Sequence, residues 1–251
     1  MESSSWTTAA HNYSSDVLSV FESDSKGRIR SLIAKYASSK RTALDLGCGP
    51  GKFLPLLSNH FGKVIASDYS KEMLQVARRQ TRATNIQFER CDLRKQSPKN
   101  SPADFVLCIN TLLDPDLSSR EQMWQHLSKS IKQGGTAVLV LPSLESGLLS
   151  RHRLVEWNLR SGIPAESALS ESFDEKIPSS ISTSRGGVLD AGGILTKHYL
   201  REEIACMCKS LKLTLKSCRK ITYSWETEFS NPPEWMKSPY PWDWLVVIAK
   251  R

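Results

Sequence analysis

Apolar positions along the chain switch repeatedly between helical spacing and short runs. Val17, Val20, Phe21, Ile29, Leu32, Ile33 and Tyr36 recur at helical intervals, and the polar stretch from Ser23 to Gly27 divides them into two helices. Ala43, Leu44 and Leu46 then form a short apolar run, followed by a helical pattern over 52–60. Strands are predicted over 63–70, 85–93, 103–110, 214–218 and 245–249, and that at 103–110 is apolar enough to be buried on both faces. Ser70 is placed to cap a helix that turns Met73, Leu74 and Ala77 inward and carries Arg78 and Arg79 near its C-terminal dipole. Ser118 to Glu121 has capping-box spacing, and Met123, Leu127 and Ile131 repeat until Gly134, after which 136–140 reads as another strand. Strands alternating with helices predict an open α/β sheet.

Two regions depart from that alternation. Over 144–195 a basic helix at 148–161 gives way to stretches rich in Ser, Pro and Gly, which predict loops with room for a hairpin before a helix at 196–211. Residues 223–244 gather Tyr223, Trp225, Phe229, Trp235, Tyr240, Trp242 and Trp244. Aromatics this dense suit core filling and the wall of a ligand pocket equally well.

The most specific signal joins the first strand to its helix. Leu44-Asp45-Leu46-Gly47-Cys48-Gly49-Pro50-Gly51 spaces three glycines two apart. Such a turn lets a ligand approach bare backbone at a helix N-terminus. The dinucleotide fingerprint fails because Lys52 stands where its third small residue belongs, and no G-K-[ST] follows to make a P-loop. A glycine-rich turn of another α/β protein remains open on this stretch alone. Asp68, about 20 residues past the glycines, is where such a site places a carboxylate for ribose hydroxyls.

This stretch resembles the first motif, D/E-x-G-x-G-x-G, of class I S-adenosylmethionine (SAM)-dependent methyltransferases, matched by Asp45, Gly47, Gly49 and Gly51. Acid-ended strands at Asp68 and Asp92, the strand ending at Asn110 and the glycine turn before 136–140 follow in the family's order, so the resemblance covers about 40–143. It implies a Rossmann-like, doubly wound, mostly parallel seven-stranded sheet with helices on both faces and a cap inserted between strands 5 and 6. One methyltransferase domain over 1–251 is then expected. Residues 1–40 would be a helical cap, 41–143 the SAM-binding half, 144–195 the substrate cap and 196–251 the rest of the sheet.

By the same resemblance, Gly47, Cys48, Gly49 and Gly51 would cradle the methionine and ribose part of SAM, with Asp45 orienting the loop. Asp68 would hold the ribose, Tyr69 and Met73 would flank the adenine, and Asp92 with Leu93 would read its edge. Asn110 would lie near the methyl; for Asp45 and Asn110 a purely structural role is the alternative. Acceptor-pocket candidates are Tyr13, Trp225, Trp242 and Trp244. The chemistry demands no base, because a sulfur or neutral amine acceptor needs none. Should a hydroxyl be methylated, His198, Asp243, His152 and Glu226 are the candidates, each equally readable as structural.

Composition narrows the class further. With 251 residues, 39% hydrophobic and 24% charged, the chain is ample for a buried core. No apolar run approaches the roughly 18 residues of a membrane span, and the first residues lack the layout of a signal or transit peptide, so a cytoplasmic protein is expected. Six cysteines include no C-x-x-C pair, and no metal site is expected. A net charge of +8 raises the question of nucleic acid, but the basic residues are scattered without an aromatic-interleaved stripe. The reading is therefore a methyltransferase of a small molecule, releasing S-adenosylhomocysteine (SAH). Rival readings are RNA or protein methylation, and a catalytically inactive SAM-binding subunit.

Overall fold

The computed structural model describes residues 20–171, 186–191 and 194–251. In chain order the strands are β1 (Ser38–Leu46), β2 (Phe61–Asp68), β3 (Ile86–Arg90), β4 (Ala103–Ile109), β5 (Ile131–Pro142), β6 (Val188–Ala191), β7 (Ile194–Lys197), β8 (Leu213–Thr222) and β9 (Trp242–Lys250). The helices are α1 (Val20–Ser23), α2 (Arg28–Tyr36), α3 (Leu54–His60), α4 (Lys71–Gln80), α5 (Leu117–Ser130), α6 (Leu144–Arg160), α7 (Ala165–Glu171) and α8 (Arg201–Ser210). Seven strands make one sheet in the order β3-β2-β1-β4-β5-β9-β8, while β6 and β7 form a separate hairpin. β9 runs antiparallel to both β5 and β8, and the remaining pairs are parallel. This is the doubly wound, mostly parallel seven-stranded sheet that the resemblance implies.

The central strands are apolar on both faces because helices cover both. On one side α2, α3 and α4 press Ile29, Ile33, Leu54, Leu57, Leu74 and Ala77 onto Val64, Phe105 and Val138. On the other, α5 and α8 bring Trp124, Leu127, Ile204 and Cys208 against Leu44, Val106, Leu139 and Val246. Each fully buried Leu or Ile among these stabilises the fold by about 1.5–3 kcal/mol. The edge strand β8 is half exposed and carries Lys216, Arg219 and Lys220, charges that discourage pairing with another chain.

Between β5 and β8 lies the inserted region, containing α6, α7, the hairpin and α8. Hydrogen bonds tie it to the carboxyl edge of the sheet. Tyr199 N–H donates to Pro142 O (2.8 Å), Lys197 N–H to Leu113 O (3.0 Å), and the Tyr199 hydroxyl to Leu112 O. The buried Lys197 ammonium pairs with Glu203 at 2.7 Å, fixing the hairpin to α8.

Several boundaries differ from the sequence expectation. α5 is capped by Asp116, which accepts from Ser119 N–H at 2.8 Å, and not by Ser118 or Ser119. It stops at Ser130, because Ile131 pairs with Ala103 as the start of β5. The helix expected over 196–211 begins only at Arg201, since Thr196 and Lys197 pair with Leu189 and Val188 in the hairpin. β9 starts at Trp242, so Trp242 and Trp244 are strand residues. Among the described residues no helix is long and apolar enough to cross a membrane.

Candidate functional site

The chain passes from β3 across β1 to β4, so the strand order reverses between β1 and β4. Open α/β sheets bind ligands in the crevice beyond the carboxyl ends of such strands. A cavity of about 910 Å³, open mouth included, occupies that position. Gly47, Gly49, Asp68, Tyr69, Met73, Asp92, Leu93 and Asn110 all line it. An adjoining pocket of about 470 Å³ lies beneath α1 and shares Gly47, Ile109 and Asn110 with the first. Asp45 and Cys48 line this second pocket, together with Val20, Phe21, Lys52 and Phe53.

The glycine turn is held from two sides. Gly47 N–H and Cys48 N–H donate to Ser67 O at 2.7 and 2.9 Å, and Gly49 N–H donates to Asp68 Oδ2 at 2.9 Å. Gly47 has φ +77°, and a Cβ there would overlap Thr111 Oγ1, which is itself anchored to Leu46 O and Ile109 O at 3.0 Å. No residue with a side chain fits. Gly51 lines neither pocket; a Cβ on it would sit 2.9 Å from Ala77 Cβ, so it sets the approach of α4 to the turn.

Carboxyls dominate the electrostatics. Burial raises Asp68 above the ordinary carboxylate range, against hydrogen bonds from the Ser70, Gly49 and Tyr69 backbones that lower it. Asp45 is only 3% exposed, and burial, with the Asp68 charge adding to it, pushes it up to about 7. No hydrogen bond reaches the Asp45 carboxyl among the described residues. Asn110 holds a left-handed φ of 47°, its N–H donates to Val140 O at 3.0 Å, and its Oδ1 is buried without a partner. The Tyr69 hydroxyl is likewise buried and unpartnered. Unsatisfied polar atoms on a cavity wall are costly unless a ligand completes them.

Asp92 is different. Its two oxygens accept from Arg94 Nε at 2.9 Å and Arg94 Nη2 at 3.0 Å, while Arg94 N–H reaches Oδ1 at 3.1 Å. Arg94 and Asp114 line the larger cavity, as does Thr111, and none of these was singled out in the sequence. An arginine two positions after an acid carries no motif signal, and Asp114 and Thr111 lie in a loop without regular spacing.

The remaining candidates lie elsewhere. Trp225, Trp242 and Trp244 line neither pocket: Trp242 and Trp244 join the core cluster with α5 and α8, and Trp225 stacks on Phe229 at 5.7 Å. Of the two readings open for these aromatics, core filling describes their packing. Asp243 is buried and accepts from the Tyr223 hydroxyl at 2.9 Å. His198, pushed down to about 4 by burial, contacts Thr196 O, whereas His152 and Glu226 are exposed. None of these four lines either pocket. Tyr13 lies outside the described residues.

Residues 43–135 match the family model described as a methyltransferase domain. A trans-aconitate 2-methyltransferase of Variovorax paradoxus is 34% identical over 103 residues, 39% of this chain and 38% of that protein. A malonyl-[acyl-carrier protein] O-methyltransferase of Paenibacillus sp. is 27% identical over 117 residues, 43% of this chain and 42% of that one. The matched stretches thus span less than half of these relatives' length. A crystal structure of an S-adenosylmethionine dependent methyltransferase from Mesorhizobium loti aligns with a TM-score of 0.64 at 16% identity, covering 91% of this chain and 99% of that one. At that identity the likeness is one of fold.

Proposed function

We propose that the chain, whose residues 43–135 match the methyltransferase domain, is a class I SAM-dependent methyltransferase that transfers the methyl group of SAM to a small-molecule acceptor by in-line displacement. The observation that carries this reading is the pair of unsatisfied groups, the Asp45 carboxyl and Asn110 Oδ1, where the two pockets meet. An amino-acid ammonium is the complement of both, since Asn110 Oδ1 can only accept and the Asp45 carboxyl accepts in its ionised form.

The rest of the wall fits the rest of SAM. Asp68 accepts from the Gly49, Ser70 and Tyr69 backbones, which leaves it a lone pair for a ribose hydroxyl. Tyr69 and Met73 offer an aromatic ring and a thioether to the adenine, and Asp92 with Leu93 its polar edge. Gly47 and Gly49 leave the turn bare for close approach, while Cys48 closes it from the second pocket. Bound SAM supplies a methyl group on a sulfonium, electrophilic enough that orientation is the protein's main task.

The acceptor enters the second pocket, where Val20, Phe21 and Phe53 give an apolar wall and Lys52, paired with Glu22 at 2.9 Å, stands at the rim. Lys197 and Tyr199, through their ties to Leu113 and Leu112, brace the loop that carries Leu113 into the wall of the larger cavity. The names of the two relatives, one acting on trans-aconitate and one on malonyl-[acyl-carrier protein], make carboxylic acids the first acceptors to screen.

Calorimetry with SAH tests the cofactor half, with an expected dissociation constant in the micromolar range, about −8 kcal/mol. An acceptor screen read by SAH release from SAM tests turnover. Binding of NADH without SAH would overturn the reading. Tight RNA binding at about 150 mM salt with a steep salt slope would move the acceptor to nucleic acid.

A further inference from the structure

Resting on the SAM reading above, we propose that Arg94 is a positioning residue for cofactor recognition: its guanidinium fork holds Asp92 in register for the adenine amino group and straps the two walls of that end of the cavity together. Asp92 follows β3 and Asp114 follows β4, so the two acids stand on loops that flank the strand-order reversal. Arg94 grips Asp92 through Nε and Nη2 at 2.9 and 3.0 Å and extends Nη1 to Asp114 Oδ2 at 3.7 Å. Its guanidinium carbon lies 5.9 Å from the centre of the Tyr69 ring, which lines the same end.

The grip is of the strong kind. A bidentate arginine–carboxylate pair fixes the plane of the carboxyl as well as its place. Burial alone would raise the Asp92 carboxyl, but the Arg94 hydrogen bonds outweigh it and hold Asp92 below the ordinary range. Asp92 therefore stays an ionised acceptor. The fork takes one lone pair of each oxygen and the Arg94 N–H a further one on Oδ1, leaving capacity on Oδ2 for a donor from the cavity. Without the fork, the carboxyl could turn toward solvent, because its side chain is 24% exposed. Asp114 is more firmly set: its Oδ1 accepts from Asp116 N–H at 2.9 Å, and it is buried. The strap thus runs from a fixed wall to a loose one.

The test compares SAH with S-inosylhomocysteine, in which a carbonyl replaces the adenine amino group, by calorimetry on the full chain. Wild type should bind SAH and strongly disfavour the inosine analogue; failure of wild type to bind SAH at all would refute the SAM reading and not this assignment alone. Arg94→Ala should weaken SAH roughly tenfold and leave the analogue nearly unchanged, so that the ratio between the two collapses. In turnover, KM for SAM should rise with kcat and the acceptor KM unmoved. Arg94→Lys keeps the charge but not the fork and should behave like the alanine variant. Full rescue by lysine, unchanged discrimination in Arg94→Ala, or tighter SAH binding by it (Arg94 then competing for Asp92) would each overturn the proposal. Should Arg94→Ala not fold, Asp114→Asn releases only the far end of the strap and should give a smaller loss of SAH affinity in the same direction; no loss there would count against it.

Discussion

Two buried carboxyls at the same edge of the sheet are both pushed up to about 7, Asp45 near the end of β1 and Asp243 near the start of β9. Burial is the leading cause at each, but the surroundings are opposite. Asp243 accepts from the Tyr223 hydroxyl at 2.9 Å and from the Ser143 backbone, and the nearby Glu228 raises it further. Around it the chain fills space with its own aromatics: the Trp242 and Trp244 rings meet edge-on at 6.1 Å, and the Trp244 indole N–H donates to Tyr199 O at 3.0 Å. Asp45 has the Asp68 charge as its second cause and no donor, beside a turn whose glycines leave backbone open. A buried acid completed from within the chain is scaffold, and one left incomplete waits for a partner from outside.

The largest effect that sharpens this contrast belongs to the aromatic side. Trp244→Ala should cost about 3–5 kcal/mol of stability, as expected for removing a fully packed ring, while SAH affinity of the folded protein stays within twofold. Denaturant titration and calorimetry on one preparation decide it; intact stability with lost turnover would return Trp244 to a pocket wall. Next is Asp68→Ala. Loss of a charged acceptor for the ribose and for Gly49 should weaken SAH by roughly ten- to a hundredfold, whereas Asp243→Asn should leave it within twofold. Similar losses from both would erase the distinction between the two ends of the edge. Gly47→Ala follows the same line: the Cβ meets Thr111 where φ is +77°, so both SAH binding and Tm should fall.

How much of this was legible in the sequence follows the same division. The glycine turn, Asp68 and the order of strands are local patterns, and the residues read from them, Gly47, Gly49, Asp68, Tyr69, Met73, Asp92, Leu93 and Asn110, meet in one cavity. Asp45, near the end of β1, and Cys48, in the turn, fall in the adjoining pocket, which shares Gly47, between them in sequence, with the larger cavity. The aromatic tail was ambiguous for a physical reason. Trp242 and Trp244 project to one face of β9, and only the register of β9 against β5 and β8 says whether that face is wall or core. Arg94 and Asp114 were invisible because their partnership joins loops 20 positions apart, and no periodicity encodes an ion pair across a crevice. The hairpin at β6 and β7 was read in part as helix, since its pairing replaces the helical period of Leu200, Ile204 and Cys208 only at Thr196 and Lys197.

The smallest expected effect separates the two acids most directly, because it depends on which of them a ligand touches. In the unfolded chain an aspartate titrates near 3.8, and in the folded protein both Asp45 and Asp243 do so at about 7. Below about pH 4 both states hold the protons and neither acid costs stability. Between about 4 and 7 the folded chain keeps protons that the unfolded chain has released, so stability falls as pH rises, and above 7 the penalty is constant. The apo-protein should therefore have a higher Tm at pH 5.5 than at pH 7.5, and either Asp45→Asn or Asp243→Asn should flatten part of that slope. Binding of SAH distinguishes them. An ammonium against Asp45 favours its ionised form, so affinity should weaken roughly eightfold from pH 7.5 to pH 6, the factor for protonating one group with a pKa near 7. Asp45→Asn should bind SAH more weakly at pH 7.5 and show no such slope. Asp243→Asn should keep the slope, because Tyr223 and Ser143, not the ligand, complete that site. Calorimetry at the two pH values, repeated in buffers of different ionisation enthalpy, counts the proton released. A slope that survives in Asp45→Asn and vanishes in Asp243→Asn would exchange the roles of the two carboxyls and place the ligand's ammonium at β9.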